Sequence, residues 1–148
     1  AYDRANVFDI PLIASRLVDV TAWMRPPPEG RAALGGYFGA STGAGAALWA
    51  ATEPDVAVTA VVSRGGRPDL AAPRLGEVRA PTLLIVGGLD RVVIELNEQA
   101  LAQLRCEAEL EIVPGATHLF EEPGTLERVA ELAIEWFTRC LVARSSPA

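Results

Sequence analysis

Apolar positions along this chain follow two spacings, one near the 3.6 residues of a helix and one of short unbroken runs like those of buried strands. In the first stretch Ile10, Ile13, Leu17, Val20 and Met24 share one helical face. Asp9 stands where an N-cap belongs, and Pro11 falls in the first turn, where a missing N–H does no harm. The segment "RPPPEG" at 25–30 stops that helix. A strand is expected at 34–38, followed by an Ala-rich helix that reaches Thr52 and ends before Pro54. The run "VTAVVS" at 58–63 is β-branched and apolar, the signature of a strand buried on both faces. "APTLLIVGG" at 80–88 repeats it, and a helix is expected from Val92.

From Cys106 to Val113 the pattern changes to strict alternation, with Ala108, Leu110 and Ile112 on one side and Glu109 and Glu111 on the other, which suits an edge strand. The last helix is expected at 125–141, its buried stripe made of Leu126, Val129, Ala133, Trp136, Phe137 and Cys140, and the ending "ARSSPA" reads as frayed. Strand and helix thus alternate four times, which predicts an α/β three-layer sandwich with a mainly parallel sheet of about four strands. In such sheets the chemistry gathers beyond the carboxyl ends of the strands. Ser41 follows the first strand, Asp90 the third and His118 the fourth, so all three are expected at one rim.

Ser41 stands in "YFGASTGAGAALW", between Gly39 and Gly43. A serine hydroxyl becomes a nucleophile when a tight strand-to-helix turn lifts it toward a base and aims helix-terminal N–H groups at the developing oxyanion. Such a turn brings neighbouring backbone close, and Gly39 and Gly43 are expected to relieve the crowding. Gly39-Ala40-Ser41-Thr42-Gly43 has the form of the GxSxG nucleophile elbow, with the Thr42 N–H as an oxyanion donor. The spacing alone arises by chance in roughly one shuffled chain of this composition in twenty-five. Its place between strand and helix, and the acid and lone histidine that follow in order, add weight. The plainer alternative makes Ser41 a helix cap and His118 a loop residue. Asp90 is read as the carboxylate that orients the imidazole, with a helix N-cap as its alternative and Asp69 as its rival. Glu121 and Glu122 fit the N-terminus of the last helix better than an orienting role. Arg64 and Arg67 could hold a substrate carboxylate, or Arg67 could simply pair with Asp69. Tyr37, Trp49, Trp136 and Phe137 are most simply core.

Composition narrows the field. The 148 residues suffice for one domain and one sizeable core, and half of them are apolar. A net charge of -6 argues against nucleic acid and anionic membranes as partners. Neither a membrane-length apolar run nor a secretory pattern is present, so a cytoplasmic location is expected. Cys106 and Cys140 are expected to be reduced. A single histidine excludes a His-rich metal site, and no CxxC or HExxH spacing occurs, so no metal is expected. "GASTGAG" is superficially like a phosphate loop but lacks its lysine, and no cofactor is implied.

"GYFGASTG", "APTLLIVGGLD" and "VPGATHLFEEPGTLERVAELAIEWF" resemble the α/β-hydrolase superfamily, specifically its dienelactone hydrolase-like subgroup and the hydrolase modules found alone or fused to phosphoribosyltransferase domains. The likeness extends over nearly the whole chain, which makes residues 1–148 a single, partial α/β-hydrolase domain. It implies a catalytic triad of Ser41, Asp90 and His118 and a serine hydrolase acting on carboxylic esters or related acyl and lactone substrates through an acyl-enzyme. Dienelactone hydrolases proper carry cysteine at the elbow, so the serine favours a general ester over a lactone. The family has an eight-stranded sheet, and this chain is expected to lack roughly its first third. With that third goes the loop that supplies the second oxyanion N–H, a loss worth about 100- to 1000-fold in turnover. The alternative is therefore a non-catalytic hydrolase-like fragment or interaction module. The first strand would keep an open edge, for which self-association or an N-terminal segment is the expected cover.

Overall fold

The computed structural model describes residues 9–24, 35–54 and 56–145. Helix α1 spans Ile10–Met24, strand β1 Gly36–Ala40, helix α2 Thr42–Ala50 and strand β2 Ala60–Arg64. A 3₁₀ stretch, Pro68–Glu77, leads to strand β3, Thr82–Gly87, and helix α3, Arg91–Gln103. Strand β4, Ala108–Val113, and helix α4, Thr125–Ser145, complete the order. The four strands form one parallel sheet in the order β1-β2-β3-β4. This is the predicted α/β architecture, and β4 lies at an edge of the described sheet, as its alternating pattern implies.

Parallel strands joined by right-handed crossovers place their connections on one face when the sheet grows in one direction. Here that face carries Leu48 of α2, Ala71 and Leu75 of the 3₁₀ stretch, and Ala100 of α3, packed on Val61 and Leu84. Side chains alternate across a strand, so Val62, Leu83 and Ile85 point the other way. They pack on Val129, Leu132, Ala133 and Trp136 of α4. The Trp136 indole N–H donates to the Pro81 carbonyl at 3.2 Å, which satisfies the one polar atom of a buried ring. Strands β2 and β3 are buried along their whole length except at Arg64. That double burial is why both read as unbroken apolar runs.

Several expectations need correction. The 3₁₀ stretch has no counterpart in the hydrophobic pattern, because Pro68 and Pro73 and its tight turns break helical periodicity. In α1 the face turned to α2 is centred on Ile10 and Ala14, and Val20 is 51% exposed. In α4 Leu126 is 52% exposed, while Thr125 and Leu132, each one residue before a position of the expected stripe, face inward. Ile112 is also exposed, unlike Ala108 and Leu110, which pack on the core. β1 begins at Gly36; Leu34, the stop at 25–30, the Met24 side chain and residues 146–148 of the expected frayed ending lie outside the described residues. Asp9 caps α1 as expected, its Oδ1 accepting the Leu12 N–H at 3.1 Å.

Candidate functional site

Because the sheet is parallel, the turns that follow β1, β2, β3 and β4 emerge at one rim. Ser41 is the first residue after β1, Gly65 the first after β2, Asp90 the third after β3 and His118 the fifth after β4.

Ser41 occupies the position before α2 but does not cap it. Its φ of 51° and ψ of -124° lie outside the extended region of an N-cap, and its side chain makes no capping hydrogen bond. A non-glycine residue there is strained, by on the order of 1–3 kcal/mol, and the surrounding backbone holds it. The Ser41 N–H donates to the Arg64 carbonyl at 3.3 Å, and the Ser41 carbonyl accepts the Arg67 N–H at 3.0 Å and the Ala44 N–H at 3.2 Å. The turn is so tight that a Cβ on Gly39 would come 2.6 Å from Ala44 Cα and 2.7 Å from the Gly43 carbonyl oxygen. Gly43 itself has open space where its Cβ would be, so the expected relief of crowding resides at Gly39 alone. Thr42 opens α2, where first-turn N–H groups have no partner within the helix.

Asp90 likewise precedes a helix without capping it. Its carboxylate turns instead to His118, with Nδ1 2.7 Å from Oδ2. An ionised carboxylate only accepts, so the imidazole donates from Nδ1, and the neutral ring then carries its lone pair on Nε2. The loops carrying the two residues are joined by backbone: Gly88 N–H donates to the Val113 carbonyl and Leu89 N–H to that of Ala116. Side-chain exposure is 40% for His118 and 15% for Asp90, so the acid is sheltered and the imidazole faces outward.

Gly65 connects the two halves. It follows Arg64, whose carbonyl holds the Ser41 amide, and a Cβ on it would press to 3.3 Å from the His118 carbonyl oxygen, beside Nδ1. Its φ of +52° adds a second reason for glycine. The next carbonyl, of Gly66, accepts from Nδ2 of the fully buried Asn97 at 3.1 Å, which fastens this turn to α3. The structure thus brings Ser41, Asp90 and His118 to one turn cluster, although among the described residues no hydrogen bond joins Ser41 Oγ to Nε2 of His118.

The other candidates separate. Asp69 is no rival to Asp90, because Arg67 donates to both of its oxygens, from Nε at 2.9 Å and from Nη2 at 2.8 Å. That fork raises the Arg67 pKa and occupies the guanidinium that was offered to a substrate. Arg64 lies 5.5 Å over the Phe120 ring, and its Nη1 donates to the Leu119 carbonyl at 3.4 Å. The Glu122 carboxylate accepts the Thr117 N–H, at 3.1 Å and 3.2 Å, and the Thr117 hydroxyl. Phe120 was missed. It is buried at φ 55°, and burying a phenyl ring, worth about 2–3 kcal/mol, outweighs that backbone strain. An isolated aromatic in "THLFEEPG" was the available signal. Among the described residues no group of three or more His, Cys, Asp or Glu could hold a metal ion, and no helix is long and apolar enough to cross a membrane.

A crystal structure of dienelactone hydrolase from Anabaena variabilis superposes on 89% of this chain and 61% of its own with a TM-score of 0.84 and 60% sequence identity. The chain has an α/β-hydrolase-like fold. Its likeness in sequence is to that dienelactone hydrolase. The esterase PE8 structure has the same hydrolase fold, with 28% identity and a TM-score of 0.59 over 83% of this chain and 58% of its own. Two curated relatives from Mycobacterium tuberculosis, strains CDC 1551 / Oshkosh and ATCC 25618 / H37Rv, are 66% identical over 135 residues, 91% of this chain. Both are named, provisionally, phosphoribosyl transferase, and this chain spans 30% of their length. No family model matches the chain.

Proposed function

We propose that this chain carries the nucleophile, base and acid of a serine hydrolase for carboxylic esters. The observation that carries the reading is the 2.7 Å contact of His118 Nδ1 with Asp90, at the rim where Ser41 sits on a strained turn. In this mechanism Nε2 of His118 takes the Ser41 proton as Oγ attacks the ester carbonyl. The oxyanion faces the Thr42 N–H, and Asp90 stabilises the imidazolium. The intermediate collapses, His118 returns the proton to the departing alcohol, and an acyl-enzyme remains. Water, deprotonated by His118, attacks that ester; the acid leaves and Ser41 regains its proton. Of the two arginines, Arg64 has donors to spare for a substrate carboxylate, since Asp69 holds Arg67.

A fluorophosphonate probe tests the reading. Covalent labelling that disappears in Ser41→Ala is the expected result. A full-length protein containing this chain that takes up no label would leave the non-catalytic, hydrolase-like module as the better account.

The reading extends to partners at the open edge. Among the described residues β1 pairs with β2 alone, and Phe38 on it is half exposed. An unpaired strand edge is a template for a further strand, so we propose that the isolated chain associates through β1. Light scattering that finds a clean monomer counts against this.

A further inference from the structure

The imidazole of His118 is two-fifths exposed, so packing alone does not fix it, and its loop must be held from elsewhere. Ties reach the loop from the body of the protein on both sides of His118. After it, Phe120 is buried against α4 and Arg64 reaches the Leu119 carbonyl from β2. Before it, Ala116 is buried and its carbonyl accepts the Leu89 N–H. Thr117, which joins Ala116 to His118, is tied from within the same loop: its N–H and its hydroxyl both donate to the Glu122 carboxylate. The Glu122 backbone is itself anchored, because its carbonyl accepts the Thr125 N–H at 3.1 Å and the Thr125 hydroxyl at 2.8 Å in the first turn of α4. One residue therefore links the base of α4 to the peptide that enters His118.

We infer that Glu122 is a positioning residue for His118, its carboxylate clamping Thr117 so that the imidazole stays seated on Asp90. The clamp is made of charge-assisted bonds to a carboxylate, which are about twice as strong as neutral ones. It bears on a catalytic group because displacing a base by about 1 Å costs on the order of 100-fold in rate. This inference rests on the proposed role of His118, but its first test does not require turnover.

His118 is the only histidine in the chain, so its ring protons are assigned in a proton spectrum without further work. In the unaltered chain a sharp downfield Nδ1–H resonance is expected, protected from exchange by Asp90. Glu122→Ala should broaden it away, and Glu122→Gln, which keeps an acceptor for the Thr117 N–H, should restore it. Glu121→Ala, an exposed neighbour, should leave it unchanged. With p-nitrophenyl acetate, turnover should fall about 10- to 100-fold in Glu122→Ala with KM changed by less than about twofold, and recover in Glu122→Gln. A Glu122→Ala chain with the sharp resonance intact overturns the clamp. So does a Gln variant no better than Ala. Absence of turnover in every variant counts against the hydrolase reading instead, because the resonance reads the His118–Asp90 pairing by itself.

Discussion

Along β2 and β3 the backbone is regular, and every residue but Arg64 is buried. A few residues beyond the sheet's carboxyl ends, Ser41, Gly65 and Phe120 all take positive φ, and an aspartate, a histidine and a glutamate crowd together. The two regions are made by opposite means. Interior strands are stabilised by area removed from water, which is indifferent to direction. The rim is held by a few directed bonds, several of them to backbone: Ser41 to residues 64 and 67, Gly66 to Asn97, Thr117 to Glu122. A rigid interior lets the rim keep strained conformations that would relax in a softer frame. Stability and chemistry should then respond to different substitutions.

The largest separation is expected at Asp90. Asp90→Asn keeps the shape but can favour the wrong imidazole tautomer, so turnover should drop by about 10⁴-fold. The melting temperature should barely move, because the residue lies outside both apolar clusters. Steady-state kinetics and thermal unfolding on the same sample check both halves. A large fall in melting temperature would mean that the rim also supports the fold. The reciprocal test is Leu84→Ala in β3, where the side chain is fully buried. It should cost about 2–5 kcal/mol in urea unfolding. Turnover per folded molecule should stay within about twofold.

This contrast also explains what was readable in advance. β2 and β3 are legible because double burial writes itself as continuous apolar residues, and the order of Ser41, Asp90 and His118 follows once the strands are placed. Faces of surface helices were less legible. Val20 and Leu126 are apolar yet exposed, since hydrophobicity permits burial without requiring it. The links that organise the rim have no period to detect. Arg67 meets Asp69 two residues on, Thr117 meets Glu122 five residues on, and Arg64 meets Leu119 across 55 positions. Such contacts depend on how loops turn, which side-chain spacing does not encode.

A smaller effect sharpens the comparison at Ser41 itself. If the elbow is strained for the sake of the hydroxyl, glycine should fit its φ of 51° better. Ser41→Gly is therefore expected to stabilise the chain by about 1 kcal/mol, offset in part by the added freedom of the unfolded glycine, while phosphonate labelling is lost. The measurement is the urea midpoint at unchanged slope. A destabilised Ser41→Gly would show that the hydroxyl contributes to the fold and that the strain is only apparent.

The smallest expected effect is a pH dependence at Glu122. Bonds from Thr117 hold its carboxyl below the usual carboxylate range. A carboxyl with a lowered pKa in the folded state adds stability above its unfolded value, near about 4.3, and that stability is lost as pH falls through the folded value. Wild type should thus exceed Glu122→Gln in urea midpoint at pH 7, and the gap should close in acid below about pH 4. Exposure of the group keeps the difference small, because water screens it. Urea midpoints of the two proteins from pH 7 down to pH 3 measure it. A gap that stays constant through that range would mean that it does not arise from the carboxylate charge.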